Sequence, residues 1–379
     1  MADGTKIEWT DATVNAINGC TVLSPGCTNC YAMRLDGTRL KNHPTRKGLT
    51  QDSKAGPVWT GEVRLNKLAL VQPLGWRKPR RIFWNAHGDM FHPAVPKWWI
   101  DWCFAVMAMT PQHIHQVLTK RADRMRVYLS DPETPERIGS KQAEIDPSAT
   151  CYDRLDLDAF WPLPNVWLGV SVEDQTRADE RIPDLLATPS AVRWLSCEPL
   201  LGRVEIGKWM PGSYECAEEC GWRSSSAPED EVCHHCGWIG TNAGEFCNKC
   251  GHQDFGHVCP RCEANAVHQH PDTPNLDWVV VGGESGPGSR PMQDSWARSL
   301  RDQCTDAGVP FFFKQWGEYA PYNMEPGVAG FWLDPDGHVY QSPTHWPPAE
   351  DEPRTYMIRW GKKRAGRLLD GVQHDGMPG

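Results

Sequence analysis

VWLGVSVEDQTRADERIPDLL, residues 166–186, reads as one βα unit. Its first five residues are apolar without alternation, the pattern of a strand buried on both faces of a parallel sheet. A helical segment follows at 174–186. The unit recurs along the chain. Short apolar runs stand at 81–86 (RIFWNA), 114–119 (IHQVLT), 192–196 (VRWLS), 278–282 (WVVVG) and 310–313 (PFFF), and a further strand is expected before Cys20. Helices are expected at 97–109 and 295–307. Repeated βα units of this length specify an α/β fold, a complete or partial (β/α) barrel. The runs end in polar residues: His87 and Asp89, Lys120 and Arg121, Glu173, Glu198, Glu284 and Ser285, Lys314 and Gln315. A salt bridge explains any one of them. Six in one register point to the C-terminal rim of a barrel, where such folds carry their chemistry.

The barrel pattern is interrupted at 214–262. This segment reads CAEEC (Cys216, Cys220), CHHC (Cys233, Cys236), CNKC (Cys247, Cys250) and CPRC (Cys259, Cys262). Eight thiolates in four hooks suffice for two tetrahedral zinc ions, and the CGW and CGH turns fit zinc ribbons. Sequential pairing is the simplest arrangement, and a crossed one stays open. Ions with four thiolates each are structural rather than catalytic, so the insert is expected to act as a lid or a protein-docking module. The expected division is 1–210 for the first part of the barrel, 211–270 for the double zinc ribbon, 271–320 for the last part of the barrel and 321–379 for a C-terminal extension. In the extension, 321–353 reads as loops with short strands. The basic GKKRAGRLLDG at 361–371 either binds a backbone phosphate or covers the bottom of the barrel.

After the first strand, NGCTVLSPGCTNCYAMR (18–34) places Cys20, Cys27 and Cys30 within eleven residues. Four thiolates close a structural site, whereas three leave a position for a substrate or cofactor. An iron–sulfur cluster with an open iron, a zinc ion completed by His87 or His92, and ordinary thiols are the three readings. The chain has fifteen cysteines and no basic-then-apolar signal at its N-terminus. Metal ligands are therefore expected rather than disulfides, and the cytoplasm is the expected compartment. No run approaches the roughly 20 apolar residues of a membrane span. The net charge of −9 conceals an asymmetry. From Arg34 to Arg81 there are twelve Lys and Arg against three acids, and from Pro211 to His270 nine acids against three Lys and Arg. A basic segment beside the triplet suits either phosphate binding or a solvated surface. Cys103, Cys151, Cys197 and Cys304 are isolated and read as core packing.

The order of WTDATVNAINGCTVLSPGCTNCYA, QVLTKRADRM, VWLGVSVEDQTRADERIP, LSCEPLLG, WVVVGGESGPGSRPM, PFFFKQWGE and GKKRAGRLLDG resembles a phage and bacterial protein family of unknown function with a three-cysteine motif. The likeness covers nearly all the chain outside the insert. That family is itself similar to radical S-adenosylmethionine (SAM) enzymes, including the spore photoproduct lyase branch. The resemblance implies a barrel of radical SAM type, a 4Fe–4S cluster on Cys20, Cys27 and Cys30, SAM on the open iron, and an electron donor such as flavodoxin or ferredoxin. The spacing here is C-x6-C-x2-C with Asn29 before and Tyr31 after Cys30. The usual pattern is C-x3-C-x2-C with an aromatic residue before the third cysteine. The family's Gly-Gly-Glu stretch follows its second strand, whereas Gly282-Gly283-Glu284 follows a much later one. The SAM amine is therefore assigned by position to Asp89, and the ribose hydroxyls to Ser171 and Glu173.

Around this centre, Lys120 and Arg121 are expected on a substrate phosphate or the SAM carboxylate, with a bridge to Glu173 or Glu198 as the alternative. Lys120 and Glu198 are candidate catalytic groups. Cys197, between Ser196 and Glu198, is a candidate hydrogen-atom donor, and Arg290 is expected to approach a ligand from a Gly-rich turn. The implied function is a radical SAM enzyme acting on a nucleic-acid base or nucleotide, in phage DNA modification or repair. The alternative is a non-catalytic or hydrolytic zinc protein that binds nucleic acid or a partner on a degenerate barrel.

Overall fold

The computed structural model describes residues 4–146, 160–216, 223–224, 231–233, 239–240, 255–258, 265–268, 274–322, 328–340 and 354–379. Seven strands form its central sheet: β1 (Ala12–Val14), β2 (Arg81–Trp84), β3 (Ile114–Thr119), β4 (Val166–Ser171), β5 (Val192–Cys197), β6 (Trp278–Gly282) and β7 (Phe311–Gln315). They lie side by side in sequence order, and all six pairings are parallel. The expected α/β fold is present, and its sheet curls as a half-barrel. Among the described residues no ladder joins β7 back to β1.

Period-two alternation assigns each strand residue to one face. Ile82, Trp84, Val117, Leu168, Val170, Leu195, Val279, Val281, Phe311 and Phe313 face the helices. Helices α2 (Lys97–Ala108), α3 (Ala122–Leu129), α4 (Thr134–Ile145), α5 (Gln175–Leu186) and α6 (Asp294–Asp306) supply the other half of that layer. Asp174 caps α5 by accepting from the Arg177 amide at 3.0 Å, the usual use of Asp before a first helical turn. Helix α1 (Tyr31–Gly37) comes earlier, directly after the three-cysteine loop.

The concave face encloses a second cluster of Phe83, Trp167, Trp194, Trp278, Val280 and Phe312, with Trp9 at its centre. The Trp9 ring lies 4.8 Å from Phe83, 5.2 Å from Trp194 and 6.0 Å from Trp278. Gly169 leaves room for this layer, because a Cβ there would meet the Trp194 indole at 2.4 Å. The outer edge of β7 is covered by the C-terminal segment. Asp375 pairs with Phe312, Gly376 donates to the Phe311 carbonyl, and Trp278 Nε1 donates to the Gly376 carbonyl. Residues 375 and 376 thus cover a sheet edge.

Between β5 and β6, the backbone of 214–268 contributes six short strands to a separate antiparallel sheet. Cys216 pairs with Ala266 and Cys233 with Phe255 in its ladders. Cys220, Cys236, Cys247, Cys250, Cys259 and Cys262 lie outside the described residues, as does Cys151. A four-stranded antiparallel sheet follows, built from Tyr319–Pro321, Phe331–Leu333, Val339–Tyr340 and Thr355–Arg359. No described helix is long and apolar enough to cross a membrane.

Candidate functional site

A cavity of about 570 Å³ opens at the C-terminal ends of the strands. Trp9, Phe83 and Leu118 line its apolar depth, and Cys20, Cys27 and Cys30 all line its wall. The cysteine loop reaches this wall through a 3-10 turn, Pro25–Cys27, and then enters α1 with Cys30 at its N-cap. Burial pushes the Cys30 thiol up, opposed by the Met33 and Ala32 amides at the helix start. Burial and the nearby Asp89 push Cys20 up to about 12, opposed by Arg121, whose Nη1 lies 3.7 Å from the sulfur.

Buried charged side chains from four strand ends hold the loop. Glu173, after β4, accepts from Ser24 Oγ and the Gly26 amide through Oε1, and from Lys120 (3.2 Å) and Arg181 (2.9 Å) through Oε2. Gly26 permits this approach, since a Cβ there would sit 3.0 Å from the carboxylate. Burial raises the Glu173 pKa, but Lys120 and Arg181 outweigh it and bring it to about 2. Asp89, after β2, accepts from the Phe91 and Lys120 amides, Thr119 Oγ1 and Arg121. Arg121 also reaches Thr21 Oγ1 at 2.7 Å. Glu284, after β6, accepts from Asn29 (2.9 Å) and three Arg290 nitrogens. Arg290 donates in turn to the Pro25 carbonyl, and Arg34 to that of Pro287. The turn at 282–290 therefore straps the cysteine loop to the sheet.

These contacts correct several expectations. A carboxylate offers about four lone-pair sites. Asp89 and Glu173 each accept four hydrogen bonds from the protein, so neither has capacity left for a SAM amine or ribose. Glu173 belongs to the loop clamp, and so does Arg290, which does not line the cavity. Lys120 lines the cavity but is bridged to Glu173, the alternative set out for it. Cys197 is fully buried among the residues facing the helices, while its neighbour Ser196 lines the cavity. A thiol on that side of β5 has no path to a substrate, so the hydrogen-donor assignment is withdrawn. Ser171 does face the cavity.

Glu198 differs from the other three. It lines the cavity and, among the described residues, accepts only from Lys314 (2.7 Å) and Gln315 (3.2 Å), which fills about half its acceptor capacity. Asn85, absent from the expected site, follows β2 at φ 57° and is among the residues that line the cavity. Its signal was a polar residue closing an apolar run, at a backbone position Asn tolerates. Seven of the twelve cations between Arg34 and Arg81 are engaged within the fold: Arg34, Lys41, Arg46, Arg64, Lys67, Arg80 and Arg81. His87 bonds Asp36 and His92 bonds Thr21. Three thiolates around one zinc ion lie about 3.8 Å apart, from Zn–S bonds of about 2.3 Å. The three sulfurs here do not all lie within 4.8 Å of one another. Among the described residues only Asp334, Asp336 and His338 bring three ligand atoms that close, and the latter two are exposed.

A sequence model of the family described as "Protein of unknown function (DUF5131)" matches residues 4–378. Neither a curated protein nor a solved structure matches the chain.

Proposed function

We propose that this chain, which belongs to the DUF5131 family of unknown function, is a radical SAM enzyme acting on a nucleic-acid base or nucleotide. The observation that carries the reading is the three-cysteine loop, clamped by buried charges onto the wall of a cavity at the C-terminal rim of a parallel half-barrel. Three thiolates are the ligand type and number for a 4Fe–4S cluster with one open iron, in which each thiolate takes a different iron and the sulfurs need not converge on one point. Cys20, Cys27 and Cys30 would hold it. When bound, such a cluster delivers one electron that cleaves SAM to methionine and a 5′-deoxyadenosyl radical.

The protein's own part is to fix and shield this centre. Glu173, Asp89 and Glu284 position the loop. Arg121, beside Cys20, favours the thiolate form that a metal requires. Trp9, Phe83 and Leu118 keep water from the cavity's depth. Glu198, Ser171 and Ser196 offer acceptors and hydroxyls to the ammonium and ribose hydroxyl groups of SAM. Zinc on the eight cysteines of 214–262, and a protein partner there, are part of the same proposal.

Anaerobic reconstitution of the full chain with iron and sulfide tests it. Equal iron and acid-labile sulfide with a broad visible absorbance are expected, followed by 5′-deoxyadenosine release from SAM and dithionite. Both are lost in Cys27→Ala. Zinc at Cys20 with no iron uptake sinks the proposal in favour of the non-redox zinc protein.

A further inference from the structure

His87 follows β2, lines the cavity and is held at three points. Its amide donates to Asn15 Oδ1 at 3.1 Å, and its carbonyl accepts from the Gly19 amide at 3.1 Å. Its ring Nδ1 lies 3.3 Å from Asp36 Oδ1, and the Tyr31 ring meets the imidazole edge-on with centroids 6.0 Å apart. Asp36 is fully buried, and its other oxygen is bridged by Arg46 at 3.3 Å. Helix α1 therefore carries Cys30 at its start and this carboxylate near its end.

A carboxylate held by an arginine only accepts, so Nδ1 carries the ring proton and Nε2 presents a lone pair. Nε2 has no hydrogen-bond partner among the described residues. Nor is it one of the unpartnered atoms sealed inside the protein, and the side chain keeps 14% of its surface exposed. A buried carboxylate on Nδ1 fixes the ring and stabilises the imidazolium that forms when Nε2 takes a proton. Their contact strengthens as that charge appears. The cavity's depth, lined by Trp9, Phe83 and Leu118, offers apolar surface to the rest of a bound molecule. A histidine that only packs against Asp36 needs neither an open nitrogen nor a place on a cavity wall.

We infer that His87 is a proton-transferring residue of this cavity. Its Nε2 takes a proton from an N–H, O–H or activated C–H group of the bound molecule, and the electron pair stays on that molecule. Asp36 is the positioning residue. This adds a base to the site proposed above and rests on that reading only for the identity of the natural substrate.

The test uses a probe that needs nothing but a base: 5-nitrobenzisoxazole, a flat aromatic molecule, offered to the full chain as purified, without SAM or reductant. Nε2 takes the C3 proton, the C–H pair forms the nitrile, the ring N–O bond breaks and the charge leaves as a coloured phenolate. Saturable release is expected, with kcat/KM about a hundredfold above the second-order constant of free imidazole. His87→Ala is expected to lower kcat about a hundredfold, and added imidazole to restore part of the loss. His87→Gln keeps a donor for Asp36 and should lose as much turnover at the parent's melting temperature. Asp36→Asn should lower kcat about tenfold with KM unchanged, the value of one good hydrogen bond, and should cost nothing further in the His87→Ala background. Release that does not saturate, or that survives His87→Ala, overturns the inference. An Asp36→Asn loss that persists without His87 overturns the positioning role. Iron uptake is measured on the same preparations. A chain that takes up no iron yet shows His87-dependent release loses the radical SAM reading and keeps this one. The reverse result keeps the cluster and removes the base.

Discussion

Replacing Glu173 with Gln tests how the cysteine loop is held. The carboxylate is 1% exposed and neutralises Lys120 and Arg181, which are themselves 18% and 5% exposed. Its pKa falls from 4.5 to about 2. A tenfold change in proton affinity corresponds to about 1.4 kcal/mol, so the ionised form contributes about 3 kcal/mol at neutral pH. The folded-state value lies below the unfolded one, so this stability is present above pH 4.5 and is lost as pH falls towards 2. Removal of one partner from a buried ion pair costs a similar amount, about 3–5 kcal/mol. Glu173→Gln is therefore expected to lower the unfolding free energy of the full chain by about 3 kcal/mol at pH 7 in urea titrations. The deficit should shrink to about half near pH 3. Cys27 and Cys30 should react faster with a thiol reagent, because Ser24 and Gly26 lose their charged acceptor. A variant as stable as the parent at pH 7, or a deficit that does not change with pH, would refute the clamp.

Trp9→Ala empties the centre of the concave cluster and should cost about 3–5 kcal/mol in thermal or urea unfolding. Gly283→Ala puts a Cβ 1.9 Å from the Trp316 carbonyl oxygen. It should destabilise by about 1–3 kcal/mol and loosen the Glu284 strap, read as a lower melting temperature with faster thiol labelling. Cys197→Ala should cost about 1–2 kcal/mol of core packing while 5′-deoxyadenosine formation stays at the parent level. Loss of turnover with retained stability would return Cys197 to the site.

The half-barrel was legible because parallel strands covered on both sides are written as unbroken apolar runs. Three of the seven, at 114–119, 166–171 and 278–282, have the expected bounds. The same property hid the site. With both faces apolar, nothing in VRWLSC says whether Ser196 or Cys197 points inwards, and the answer lies in the Trp194 contact with Trp9. Strand-end acids were legible as a group, but their availability was not. Asp89, Glu173 and Glu284 are consumed by their donors, some as distant in sequence as Ser24 and Asn29, whereas the donors described for Glu198 fill about half its capacity. Helices α3 and α4 went unread because their apolar faces are short and broken by charge. Lys6 and Lys362 line the cavity but stand in polar stretches where a cavity residue and a solvated one look alike.

The concave cluster also sets the order in which the chain is finished during synthesis. Trp9 emerges first and meets Phe83 early, but its partners Trp194 and Trp278 come much later. Those two rings, 5.3 Å apart in the finished protein, are separated in synthesis by the whole of the insert. The edge of β7 is sealed only when residues 374–376 have cleared the ribosome. Until then a nascent chain carries an aromatic groove and an open strand edge, the surfaces that bind chaperones or aggregate. Folding should therefore be limited by the arrival of residues 374–376 at the β7 edge, in keeping with the slow closure of contacts distant in sequence. Chains that lack residues 374–376 should be found in inclusion bodies even though β1–β7 are complete.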